Sequence, residues 1–179
     1  MVYILVRLDT PMLRVIQAAD TKIFHSVFSN HRYTSLSRFA RIVSFTGDGW
    51  LYLSLVPIIW LLRPDSAISL MLLSLIGFTV ERIIYLVLKL SFRRRRPPHL
   101  LEGIQSLIQA SDEFSLPSCH TSAAFFYVTF LCQGVSPLFL PLYLWAAMVG
   151  LSRVILDVHF PTDILAGSLM GTTLAIIIL

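Results

Sequence analysis

The chain has 179 residues, of which 56% are hydrophobic and only 13% charged, and its mean hydropathy is +0.77; soluble domains carry about a quarter charged residues. That balance excludes an ordinary soluble enzyme and points to an integral membrane protein. The net charge of +4 favours anionic partners, and in such a chain these are lipid headgroups and phosphates. No nucleic-acid partner is expected, because basic and aromatic residues nowhere interleave.

A span needs roughly 20 apolar residues, so the length admits one bundle of about four to six helices and no second domain. The opening MVYILVRLDTPM is interrupted by Arg7 and Asp9 too early for a secretory leader, and no cleaved signal is expected. Residues 12–28 place Met12, Val15, Ile16, Ala19, Ile23 and Val27 on one helical arc and Arg14, Gln17, Thr21, Lys22 and His25 on the other. This pattern predicts an amphipathic helix lying in the membrane interface. A second helix, about 35–46, carries Arg38 and Arg41 and is expected to continue along the surface.

Hydrophobic segments at about 48–62, 67–90, 118–134, 137–153 and 161–179 predict about five spanning helices. The expected fold is an all-α membrane bundle in a single domain, 1–179, with interfacial helices over 1–46 and a core over 47–179. Trp50 and Trp60 sit near the two ends of the first span, as interfacial aromatics do. Tight links at 63–66 and 134–137 make the neighbouring helices antiparallel. Counting crossings brings the start of the first span, the loop 91–117 and the turn 153–160 to one face. Inside the second span, Glu81 and Arg82 are expected to pair with polar groups of the bundle; lining a route to a site is the alternative. Cys119 and Cys132 lie in one predicted helix with about 20 Å of rise between them, beyond disulfide reach.

Three polar islands fall on that common face. The stretch KLSFRRRRPP, 89–98, has a plain reading as a basic cap that snorkels to headgroups. In LPSCHTSAAF, 116–125, Ser118 reads as a helix N-cap, so the amides of Cys119, His120 and Thr121 face outward as a seat for phosphate. In SRVILDVHFPTD, 152–163, Pro161 suits the first turn of a helix. His159 and Asp163 are four apart, close enough for the carboxylate to hold the imidazole. A charged turn explains Arg153 but not that pair, since ionisable groups entering an apolar helix are costly and tend to be kept for function. Together the islands supply cations, a helix N-terminus, two histidines and a carboxylate, the equipment for phosphoryl transfer without a metal. No cluster with metal-ligand spacing is visible.

The sequence resembles the type 2 phosphatidic acid phosphatase superfamily, which also contains vanadium haloperoxidases. The family pattern is Lys, six residues, Arg-Pro; then Pro-Ser-Gly-His; then Ser-Arg, five residues, His, three residues, Asp. Here Lys89 and Arg96-Pro97, Pro117-Ser118 and His120, and Ser152-Arg153, His159 and Asp163 match it over about residues 45–179. Cys119 stands where the family usually has glycine, and surface helices stand where many bacterial relatives have a first span.

The resemblance implies a lipid phosphatase in which His159 is the nucleophile, Asp163 steers it and His120 is the general acid and base. Lys89, Arg96 and Arg153, with Ser118 and the backbone amide of Cys119, would hold the phosphoryl oxygens. No cofactor or metal is implied. The substrate class is a phosphorylated membrane lipid such as phosphatidylglycerophosphate, undecaprenyl diphosphate, phosphatidic acid or a lipid A phosphate. A lipid phosphotransferase would use the same residues, and a non-catalytic anionic-lipid binder would need only the cations. The resemblance implies a bacterial inner-membrane protein with its site on the outer face, whereas the arginines on that face favour the cytoplasmic side under the positive-inside rule.

Overall fold

The computed structural model describes residues 11–28, 35–101, 103–110 and 112–179, and in the first of these stretches the side chains of residues 15–24. The leader reading of the opening residues, Arg32 and the side chains of Met12, Arg14, His25 and Val27 lie outside the described residues. Helices run in the order α1 (Pro11–Phe28), α2 (Ser35–Thr46), a 3₁₀ turn (Trp50–Ser54), α3 (Leu55–Leu62), α4 (Ala67–Phe92), the short α5 (Pro97–Leu100), α6 (Cys119–Phe130), α7 (Leu142–Ile155) and α8 (Pro161–Ile178). Among the described residues no strand forms; Arg95 and Phe114 make one isolated bridge.

Three helical stretches are long and apolar enough to cross a membrane: Pro64–Phe92, Pro137–Ile155 and Pro161–Ile178. A fourth arises if α2 and Trp50–Leu62, which meet at 45°, are one bent span. Of the five segments read from hydropathy, 67–90, 137–153 and 161–179 fall in the three single helices, and 48–62 in the bent pair. The segment 48–62 is broken by the 3₁₀ turn, entered through Gly49 at φ 109°, a conformation that costs glycine little. The helix over 118–134 is 12 residues of α6 followed by a five-residue π turn. It is mostly buried inside the bundle.

The N-terminal helices present apolar residues outward. On α1, Val15 and Ile23 are exposed while Asp20 and Phe24 are buried. On α2, Phe39, Ile42 and Phe45 are exposed while Ser37, Ala40, Val43 and Ser44 are buried, and this helix packs chiefly on α7. The buried side of α2 is thus made of small residues, while Phe39, Ile42 and Phe45 share its exposed side with Arg38 and Arg41.

The closest helix pair is α6 with α8. Gly167, Gly171 and Ala175, four residues apart, are buried along one stripe of α8, the small-residue pattern that lets two membrane helices touch through their backbones. A Cβ at Gly171 would lie 2.1 Å from the carbonyl oxygen of Ser122, and one at Gly167 2.6 Å from that of Ser118. Around this contact, Phe126, Phe130, Leu131, Val149 and Ile59 form the buried core. Because the opposing atom is backbone, Gly171→Ala forces the helices apart and is expected to lower stability by about 1–3 kcal/mol. The thermal midpoint of the purified variant in detergent measures this.

Candidate active site

Arg93 closes α4 in the left-handed conformation, φ 47°, and the chain leaves it extended. Side chains of an extended segment alternate, so Arg93 and Arg95 are exposed while Arg94 and Arg96 are buried. The segment is pinned by Ser115 N donating to Arg94 O at 2.8 Å. Arg96 Nη1 donates to Val158 O at 2.6 Å and lies 3.3 Å from His159 Nε2. Its Nε reaches Asp112 O at 2.9 Å and its Nη2 pairs with the Asp112 carboxylate. Lys89, in the last turn of α4, meets the same carboxylate at 2.6 Å. Asp112 thus joins the two cations of the first island, with the Tyr85 hydroxyl donating to it at 2.7 Å. Burial pushes its carboxyl up, but the hydrogen bonds from Lys89, Tyr85 and Arg96 outweigh that and hold it at about 2.

His159 precedes α8, with Pro161 in that helix's first turn and Asp163 accepting from the Phe160 amide at 2.8 Å. This cap aims the carboxylate at the imidazole: Asp163 Oδ2 lies 3.4 Å from His159 Nδ1. The separation is long for a hydrogen bond, and Nδ1 is buried with no other partner; such contacts commonly tighten when a substrate binds. The other oxygen, Oδ1, takes a hydrogen bond of 2.8 Å from Arg94, which in turn pairs with Asp20 of α1 at 2.5 Å and bonds Thr162 at 2.7 Å. Burial, partly offset by Asp163 and reinforced by Arg96 and Arg153, lowers the His159 imidazole to about 4. Its ring is therefore neutral near pH 7, as a nucleophile must be.

Arg153 comes from the last turn of α7 and bonds Ser44 of α2 at 2.5 Å, leaving its buried Nε without a partner. Its carbonyl accepts from the amides of both Val158 and His159, so one residue shapes the turn and points a cation into the site.

Ser118 occupies the N-cap position of α6, but its hydroxyl accepts from Thr121 Oγ1 at 2.9 Å instead of from a backbone amide. Its own amide donates to Asp163 O at 3.1 Å, locking the second island to the third. Cys119 opens α6 and is not among the residues with positive φ, so the usual glycine's conformational freedom is not needed here. Its thiol accepts from Arg82 at 2.9 Å. His120 Nε2 lies 2.7 Å from Asp48 Oδ1. Asp48 is delivered by the turn after α2, where Gly47 packs within 2.9 Å of Val149 at its would-be Cβ.

His120 lines two cavities. One, about 370 Å³, is walled by Ser44, Asp48, Arg153 and Arg41. The other, about 480 Å³, runs between α4 and α6 past Tyr52, Phe78, Glu81 and Arg82. Arg82 donates to the Cys119 thiol, a pairing inside the bundle as expected of it, and both Arg82 and Glu81 line this cavity, as in the alternative reading. Among the described residues, no three of His, Cys, Asp and Glu come together in a group able to hold a metal ion.

Sequence reasoning missed Asp20, Ser44, Asp48, Tyr85 and Asp112, and treated Arg94 as one of a basic run. Only Arg94 left a signal, the period of two that an extended RRRR segment imposes. The contacts described above for the others reach across 16 to 142 positions of chain, where no local pattern points.

Buried polar groups thus converge here from three helix ends, and the chain belongs to the PAP2 superfamily, whose model matches residues 67–179. It is 33% identical over 145 residues to the decaprenylphosphoryl-5-phosphoribose phosphatase of Mycobacterium tuberculosis, covering 78% of this chain and 76% of that one. It is 28% identical over 143 residues to the bacitracin transport permease protein BcrC of Bacillus licheniformis, covering 76% and 68%. Among solved structures, Aquifex aeolicus LpxE superposes with a TM-score of 0.73 at 28% identity, over 88% of this chain and 93% of that one. A PAP2-type phosphatidylglycerolphosphate phosphatase from Bacillus subtilis does so with 0.72 at 25% identity, over 98% and 88%. The protein is a membrane lipid phosphatase by these relationships.

The low value at His159 has a sign that can be tested. As pH falls from 6.5 toward 4, the unfolded chain takes up this proton before the folded one, so stability decreases across that window. The thermal midpoint is expected to drop over it in wild type, with a shallower slope in His159→Gln.

Proposed function

We propose that the protein hydrolyses a phosphate monoester or diphosphate on a membrane lipid without a metal, through a phosphohistidine. The observation that carries this reading is the pair of imidazoles, each beside its own carboxylate: His159 with Asp163, and His120 with Asp48. A protein that only bound anionic lipid would need the cations and neither dyad.

In this mechanism His159 Nε2 attacks phosphorus in line, the N–P bond forming as the P–O bond to the lipid breaks. Asp163 holds the Nδ1 proton and offsets the imidazolium charge. His120 gives its proton to the departing oxygen, then takes one from the water that attacks the phosphohistidine, releasing phosphate and restoring His159. Arg96, already 3.3 Å from Nε2, together with Lys89 and Arg153, neutralises the phosphoryl oxygens. Arg153 Nε and the N-terminus of α6 at Ser118 and Cys119 supply further donors. A phosphate entering between Lys89 and Arg96 takes the place of the Asp112 carboxylate.

Relatives named for phosphatase activity on decaprenylphosphoryl-5-phosphoribose and on phosphatidylglycerolphosphate support a lipid substrate. We infer that the site faces the outer side of the membrane, as the family resemblance implies. The arginine count that argues otherwise, over Arg32, Arg38, Arg41 and Arg93 to Arg95, loses part of its weight because Arg94 is buried in ion pairs with Asp20 and Asp163 and so is a poor reporter of topology.

His159→Ala is expected to abolish phosphate release from lipid phosphates, by at least about a thousandfold, with the thermal midpoint kept near wild type; substantial turnover by the purified variant rejects the assignment. EDTA is expected to leave wild-type turnover unchanged, and a loss restored by Mg²⁺ would refute the metal-free route.

A further inference from the structure

Asp112 stands between Lys89 and Arg96 in the manner of a bound anion. Its two oxygens are divided between the cations, Oδ2 accepting from Lys89 Nζ at 2.6 Å and from the Tyr85 hydroxyl at 2.7 Å, and Oδ1 accepting from Arg96 Nη2. The same guanidinium holds Nη1 3.3 Å from His159 Nε2, so the carboxylate occupies the reacting end of the site. The three partners are not equally fixed. The side chains of Lys89 and Arg96 are 5% exposed and that of Asp112 is 33% exposed. Lys89 belongs to the last turn of α4 and Arg96 is bound to the carbonyl of Val158, whereas Asp112 lies in irregular chain. When the cluster opens, the carboxylate is the member that water can receive, while the cations would be left buried.

Charge favours an exchange at this seat. Two buried cations side by side need an anion between them, and one carboxylate neutralises only half of the pair. A phosphomonoester is close to a dianion near pH 7 and neutralises both. The loop keeps a displaced carboxylate within reach. Leu107 N donates to Leu156 O at 3.1 Å and Arg41 Nη2 donates to Leu107 O at 2.8 Å, while Ser115 N donates to Arg94 O at 2.8 Å. The chain is thus pinned on both sides of Asp112, and its carboxylate remains near the cations at a high effective concentration.

We propose that Asp112 is an internal competitor for the phosphate seat. Its carboxylate holds Lys89 and Arg96 in the resting site, yields them to the phosphoryl group of the substrate, and reclaims them as inorganic phosphate leaves. Affinity for phosphate is thereby held below what the cations alone would give, which limits retention of the product. A purely structural role for the same ion pairs has the opposite sign: if Asp112 only kept the cations in place, removing its charge would weaken phosphate binding.

This rests on the hydrolase reading, in which Lys89 and Arg96 receive the phosphoryl oxygens, and the test separates the two. Binding of inorganic phosphate and of a non-hydrolysable lipid phosphonate to the purified protein in detergent is measured by titration calorimetry near pH 7, with turnover of a lipid monophosphate followed alongside. Asp112→Asn keeps the size of the side chain and an acceptor for Tyr85, and is expected to bind both ligands about ten- to a hundredfold more tightly than wild type. Asp112→Ser is expected to show the same gain and carries the test if the amide variant does not fold. Glu113→Gln removes the same charge from the exposed neighbouring position and is expected to change neither affinity by more than about twofold. Affinities in the Asp112 variant that are level with wild type or weaker, or an equal gain in Glu113→Gln, overturn the proposal while wild-type turnover leaves the hydrolase standing. Absence of turnover by wild type strikes the hydrolase reading, and the proposal with it.

Discussion

Backbone-to-backbone contact between α6 and α8 sets the geometry on which the site depends. With no side chain at Gly167 or Gly171, the helices approach until the carbonyls of Ser118 and Ser122 lie where a Cβ would be. Only at that distance does the Ser118 amide reach the carbonyl of Asp163, which ties the start of one helix to the start of the other. The two histidines are carried by these helix starts, so their relationship is set by the most rigid contact in the bundle. Small residues do this in a membrane because lipid supplies no hydrophobic drive for helix association, and close packing has to supply it.

A chain of buried charges is built onto that contact. Asp163 is shared among His159, the Phe160 amide and Arg94, and Arg94 passes the connection on to Asp20 of α1. Removing one partner from a buried charge pair commonly costs about 3–5 kcal/mol, because the other is left uncompensated. The network is therefore better understood as fixing where the Asp163 carboxylate points than as adding stability. It also gives α1 a reason to lie where it does: its Asp20, Gln17 and Phe24 face Arg94 and Phe160, while Val15 and Ile23 are exposed.

The ten motif positions were legible through the family resemblance, and the Pro, Ser and Asp among them also carry local meanings at helix starts. Asp163 is an example: its spacing from His159 predicts a partner, and the structure adds the cap that it makes to the Phe160 amide. Span number was less legible. Hydropathy registers that 118–134 is apolar but cannot register that its neighbours bury it, or that Gly47, Asp48 and Gly49 turn a run of hydrophobic residues into a bent pair. Asp48 and Asp112 were invisible for a related reason. Both lie in polar connections where a carboxylate is unremarkable, and only the fold brings one to His120 and the other between Lys89 and Arg96.

The arginine run has a further consequence. Because the chain leaves α4 extended, the four residues act as two interleaved sets: the even-numbered pair serves the interior and the odd-numbered pair the water. Composition is therefore not what this segment preserves; parity is. Losing or gaining a single arginine would change the charge by only one while exchanging the inward and outward sets, which makes the length of the run a requirement in its own right.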